Sequence, residues 1–130
     1  MEHPTHEHHE SPFKGKTGLA RLINALRYSI DGLRAAYRHE DAFRQECLLA
    51  AVLIPVAFFV PTAAFGKAML IGSVLLVMIV ELINSAIEAT VDRVSLERHL
   101  LAKRAKDIGS AAVLLALINL AVVWGLVIFA

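Results

Sequence analysis

A stripe of polar side chains is embedded in one of the most apolar stretches of this chain. Residues 75–93 read LLVMIVELINSAIEATVDR, so Glu81, Asn84, Ser85, Glu88 and Asp92 arrive before any Gly or Pro interrupts the pattern. At about 100° per residue, all five fall within about 60° of one line along a helix. A lone ionised carboxylate in hydrocarbon costs on the order of several kcal/mol, so the stripe must face protein or water. Glu81 lies 14 residues beyond Lys67, about 21 Å along a helix. With Lys67 at the outer interface, Glu81 is past the midplane and Glu88 is near the cytoplasmic headgroups. The stripe then starts inside the bilayer and ends where water-soluble ligands reach it.

Asn84 and Ser85 also fit a second reading, as hydrogen-bonding groups in a seam between helices. Glu81 and Glu88 fit it poorly, because no basic residue lies at their depth in any apolar stretch. A divalent cation arriving with its own anion would neutralise them. Hard oxygen ligands suit Mg²⁺, which keeps several waters and bridges carboxylates to nucleotide phosphates. Glu40, near the same cytoplasmic level ahead of the first apolar stretch, is a candidate co-ligand of Glu88. RAKDIGSAA (104–112) adds Lys106 and Asp107, followed by small residues that let helices approach closely. Lys106 can act as a point charge beside phosphate or as a basic anchor at the membrane surface.

The elements that would position these groups are helices. The chain has 130 residues, 57% of them hydrophobic, above the roughly 45–50% of soluble proteins. Three apolar segments, at about 41–60, 67–90 and 108–130, are expected to cross a membrane. Pro55 in the first is tolerated in such helices. Residues 60–67 form the expected outer turn, and 92–107 a charged, partly helical connection. Ahead of these, residues 19–38 place Leu19, Leu22, Leu26, Ile30, Leu33 and Tyr37 at helical spacing, with Arg27, Asp31, Arg34 and Arg38 opposite. That pattern is an amphipathic helix with a basic face, lying on the membrane surface or packed on the bundle. Residues 1–18 hold four of the six histidines and read as a disordered tail, able at most to bind a metal loosely.

Seven Lys/Arg precede the first span, Lys67 alone stands in the next loop, and five precede the third span. The positive-inside rule then places the N-terminus in the cytoplasm and the C-terminus outside. The polar N-terminal stretch lacks an apolar h-region, so no cleavable signal is expected. Cys47 is the only cysteine, which excludes an intrachain disulfide.

GLRAAYRHEDAFRQE (32–46), IGSVLLVMIVELINSAIEATVDR (71–93) and RAKDIGSAAV (104–113), in that order and spacing, resemble the bacterial membrane-integral diacylglycerol kinase family. The resemblance covers the chain from about Arg21 through the third span. His39 stands where that family has Asn, Thr90 where it has Val, and SLERHLLAK departs from its usual loop. The resemblance implies an all-α, polytopic inner-membrane protein forming a homotrimer, with its active site at the cytoplasmic membrane surface. It implies transfer of the γ-phosphate of ATP, with Mg²⁺, to diacylglycerol, giving phosphatidic acid. Glu81 is similar to the family's catalytic base, and Glu40 with Glu88 to its metal ligands. ATP contacts are implied at Arg21, Tyr28, Glu40, Glu88, Glu97, Arg98, His99, Lys106 and Asp107. Lipid contacts are implied at Arg21, Ser29, Arg34, Ala42, Phe43, Arg44, Gln45, Glu46, Glu81, Asn84 and Ser110.

No Walker loop, kinase Gly-rich loop or HRD motif is present. A kinase built this way depends on positioning and charge, which is most of what phosphoryl transfer needs. Three other readings stand beside it: a kinase of the same architecture acting on another lipid alcohol such as undecaprenol, a small proton- or cation-coupled transporter, and a structural or regulatory membrane subunit, which leaves the carboxylates unexplained. A transporter site is expected near the midplane, whereas this stripe runs out to the cytoplasmic surface.

Overall fold

A computed structural model describes residues 18–94 and 100–130. Four helices follow in order: α1 (Gly18–His39), α2 (Asp41–Phe59), α3 (Ala64–Val94) and α4 (Leu100–Phe129). The last three are long and apolar enough to cross a membrane. Contacts divide the chain into two units, one ending at Arg34 and one running from Ala35 to Ala130. The second unit is a three-helix arrangement in which α3 packs against both α2 and α4. The histidine-rich tail lies outside the described residues, apart from Gly18, which opens α1.

α3 and α4 reach beyond the apolar stretches expected at 67–90 and 108–130. Their charged ends stay helical because residues such as Glu88, Arg93, Lys103, Arg104 and Lys106 meet no Gly or Pro until Gly109, and most long polar side chains are good helix formers. Pro55 sits inside α2 without ending it.

The two short junctions are closed in the same way. After α1, the chain leaves helical geometry only at Glu40, which caps α2 with extended backbone. Arg44 reaches back from the first turn of α2 and donates from Nη1 to the carbonyls of Tyr37 (2.8 Å) and Arg38 (3.0 Å), while pairing with Asp41. After α2, Lys67 donates from Nζ to the carbonyls of Phe58 (2.5 Å) and Val60 (2.9 Å). In each case a cation on the next helix satisfies carbonyls that the preceding helix cannot pair internally. Gly66 belongs to the second junction, since a Cβ there would collide with the Thr62 side chain.

The core explains where the polar stripe goes. On α3, Leu70, Val74, Val77, Glu81 and Asn84 are all buried, and they alternate in steps of four and three residues. On α2, Phe43, Glu46, Ala50 and Ala57 keep the same phase. Gly109, Ala116 and Val123 on α4 repeat every seven. This is the seam spacing of helices packed at a small angle in a left-handed bundle. One half of the seam is apolar: Ala50, Ala57, Leu70, Val74, Val123 and Trp124 form a continuous cluster. Its single polar knot is at Trp124, whose Nε1 donates to Leu70 O and Ser73 Oγ, both at 3.2 Å. Beyond Val77 the same seam positions carry Glu81 and Asn84, so the acids occupy core sites rather than a separate groove.

Candidate functional site

Antiparallel packing of α2 on α3 brings Glu46 opposite Glu81. The two carboxyl groups are close enough for their charges to act on each other, and both are buried, at 9% and 5% exposure. Glu46 Oε2 has no hydrogen-bond partner among the described residues. Sequence reasoning found no base at this depth, and the structure supplies another acid instead. Glu40 and Glu88 lie close enough for their charges to act on Glu81. Glu40, Glu46 and Glu88 thus all lie within electrostatic range of Glu81.

Asn84 completes the buried group at 7% exposure. Its Nδ2 donates to Glu88 Oε1 at 3.5 Å, one helical turn away. Ser85 Oγ and Asn84 Oδ1 are buried with no partner among the described residues. Past this group the seam opens to solvent at its charged end. Lys106 of α4 pairs with Asp92 of α3 at 2.6 Å, and Asp107 with Lys103 on its own helix at 2.6 Å. Lys106 is therefore tied to the end of α3 that carries Glu88, whereas Asp107 points to its own helix neighbour.

The AFRQE run divides by helical phase. Phe43 and Glu46 are buried in the seam, Ala42 and Gln45 are exposed, and Arg44 is occupied by the α1 carbonyls. Ser110 is exposed beside buried Gly109. Arg21, Tyr28, Ser29 and Arg34 belong to the first unit. Within it, Arg21 and Tyr28 line a shallow hollow on α1 with Asn24 and Ala25, and the Ser29 hydroxyl donates to Ala25 O at 2.8 Å. Glu97, Arg98 and His99 lie outside the described residues. Two features were missed from the sequence: the Glu46–Glu81 contact and the Asp92–Lys106 pair. The first was available as a shared seam phase between 43–57 and 70–84; the second needs the third dimension.

Among the described residues, no three His, Cys, Asp or Glu side chains gather closely enough to hold a metal ion by themselves. Glu40 and Glu88 nevertheless have donor chemistry that suits Mg²⁺. The Glu40 carboxylate makes no side-chain cap to α2, and among the described residues Glu88 has only the long bond from Asn84. Carboxylate oxygens left free in this way, with waters and phosphate oxygens filling the remaining positions, are donors Mg²⁺ ordinarily takes.

A bundle of three span-length helices whose core seam turns from apolar to acidic is that of a multi-pass membrane protein with buried carboxylates at one end. The comparison with known proteins is more specific. The prokaryotic diacylglycerol kinase family matches residues 27–128. A diacylglycerol kinase of Pseudomonas aeruginosa is 58% identical over 118 residues, covering 91% of this chain and 96% of that protein. One from Haemophilus influenzae is 51% identical, covering 87% and 96%, and one from Escherichia coli K12 is 50% identical, covering 83% and 88%. The chain belongs to the prokaryotic diacylglycerol kinase family, and by that membership it is a phosphotransferase.

Proposed function

We propose that this protein transfers the γ-phosphate of ATP to the primary hydroxyl of diacylglycerol, yielding phosphatidic acid and ADP at the cytoplasmic face of the inner membrane. The observation that carries this reading is the placement of buried Glu46, Glu81 and Asn84 on the core seam beyond its apolar half, with Glu40 and Glu88 within electrostatic range of Glu81. A lipid entering sideways keeps its tails in hydrocarbon and brings its hydroxyl to the buried end of the acids. A nucleotide reaches the solvent end.

Glu81 accepts the hydroxyl proton as the lipid oxygen bonds to the γ-phosphorus and the bond to the bridging oxygen breaks. Glu40 and Glu88 would hold Mg²⁺, which when bound offsets phosphate charge and bridges it to the protein. Lys106, held at that end by Asp92, supplies a further positive charge near the phosphates. Arg21, Tyr28, Glu97, Arg98, His99 and Asp107 complete the ATP contacts. Arg21, Ser29, Arg34, the 42–46 run, Asn84 and Ser110 complete those to lipid. The basic, amphipathic α1 lies along the cytoplasmic surface, with the N-terminus inside and the C-terminus outside. Extensive exposed apolar surface on α4, including Leu114, Leu115, Ile118 and Val122, supports burial against lipid and against further copies in a homotrimer.

Purified protein given labelled ATP, Mg²⁺ and a panel of lipid alcohols tests the reading directly. Labelled phosphatidic acid is expected; a phosphorylated polyprenol in its place would refute the substrate. Glu81→Gln is expected to lower turnover by about 10²–10⁴ while MgATP still binds. Near-normal turnover in that variant would remove Glu81 from its role.

A further inference from the structure

Gly109 is buried on α4, and the three nearest atoms that a Cβ built on it would meet outside its own stretch of helix all belong to the Asn84 side chain of α3. The sharpest collision is with Asn84 Oδ1. The Asn84 carboxamide is oriented by chemistry: a carboxylate only accepts, so Nδ2 must face Glu88, which leaves Oδ1 turned away from it, against α4. The space that Oδ1 fills exists because residue 109 has no side chain. The colliding atom is the tip of a side chain rather than backbone, so an added methyl would be relieved by turning Asn84, not by separating the helices. Turning Asn84 takes Nδ2 away from Glu88.

We propose that Gly109 is a positioning residue: by presenting no side chain, it holds the Asn84 carboxamide in the pose that orients the Glu88 carboxylate toward its ligand. The inference rests on the reading of Glu88 as a metal ligand for the Mg²⁺ part alone; the hold of Gly109 on Asn84 stands on geometry. It also accounts for a buried Asn that gives up one acceptor, Oδ1, without a partner. Such outer partners of metal ligands typically alter metal affinity by about 10–100-fold when changed.

The test compares the unaltered protein, Gly109→Ala, Asn84→Ala and the double variant in lipid bicelles. One readout is the Mg²⁺ concentration for half-maximal turnover at saturating ATP and lipid. The other is the side-chain amide NMR signal of Asn84, identified by its loss in Asn84→Ala. Gly109→Ala is expected to shift that signal and to raise the Mg²⁺ requirement at least about tenfold, with thermal unfolding unchanged. Placed on Asn84→Ala, it is expected to add nothing, because no carboxamide remains to displace. An unmoved signal, or an equal rise in Mg²⁺ requirement in both backgrounds, would overturn the proposal. Should Gly109→Ala alone fail to fold, recovery of folding in the double variant supports the relation and continued failure refutes it. Absence of Mg²⁺-dependent turnover in the unaltered protein would count against the proposed function, and the amide signal would still decide the hold on Asn84.

Discussion

Lys67→Met separates the end of the bundle that carries stability from the end that carries chemistry. Lys67 Nζ spans the α2–α3 turn and donates to two carbonyls, Phe58 O at 2.5 Å and Val60 O at 2.9 Å. Hydrogen bonds from a charged donor are worth about 1.5–3 kcal/mol each when buried. Here the Phe58 bond is exposed and the Val60 bond only partly buried, so water competes for both carbonyls. Side-chain hydrogen bonds measured within membrane bundles average nearer 0.6 kcal/mol, with a maximum of about 1.7. Two such bonds at a helix terminus then contribute about 1–2 kcal/mol in total, and methionine keeps the apolar stem while removing both. The folded-to-unfolded ratio should fall about 5–30-fold. Glu81 stands 14 residues further along α3, about 21 Å away along an unbroken helix, so turnover and the KM for MgATP should not change. Equilibrium unfolding in mixed micelles, followed by circular dichroism, measures the first quantity, and steady-state assay of the folded protein measures the second. Unaltered stability would refute the capping argument. Lost turnover at unaltered stability would refute the division of the molecule into two ends.

Two further variants test the packing and the charged rim. Trp124→Phe removes the donor to Leu70 O and Ser73 Oγ and is expected to cost about 1 kcal/mol, read by the same unfolding assay. A loss too small to measure would mean that the indole contributes by shape alone. Asp92→Asn breaks the Lys106 pair; both side chains are substantially exposed, so unfolding should be unaffected. The KM for MgATP should rise as Lys106 loses its tether, and an unchanged KM across a salt series would sink that role.

Much of the architecture was legible in the chain because hydrophobic length and periodicity are one-dimensional properties. Three apolar stretches, an amphipathic segment before them and a polar stripe at helical spacing can be counted from residue types. That the stripe must be enclosed also followed, since a carboxylate facing hydrocarbon is too costly to persist. The charged connection at 92–107, expected to be partly helical, is helical to Val94 and again from Leu100, because charged helix formers extend a helix past the membrane-spanning part without any apolar signal. The split of the AFRQE run into buried Phe43 and Glu46 and exposed Ala42 and Gln45 depends on the rotation of α2 about its axis. Neighbouring residues cannot report that rotation until a partner helix is in place.

By itself, the sequence determined which segments are long and apolar enough to cross a membrane, and that Glu81, Asn84, Ser85 and Glu88 share one face. Only the tertiary structure decided what that face meets. Register between α2 and α3 set Glu46 against Glu81, and the approach of α4 gave the oxygen of Asn84 the space left by Gly109. The reason is physical: periodicity fixes directions around a single helix axis, whereas a contact needs two axes, a crossing and a register. Those are settled by the fit of whole side chains, and here by the absence of one.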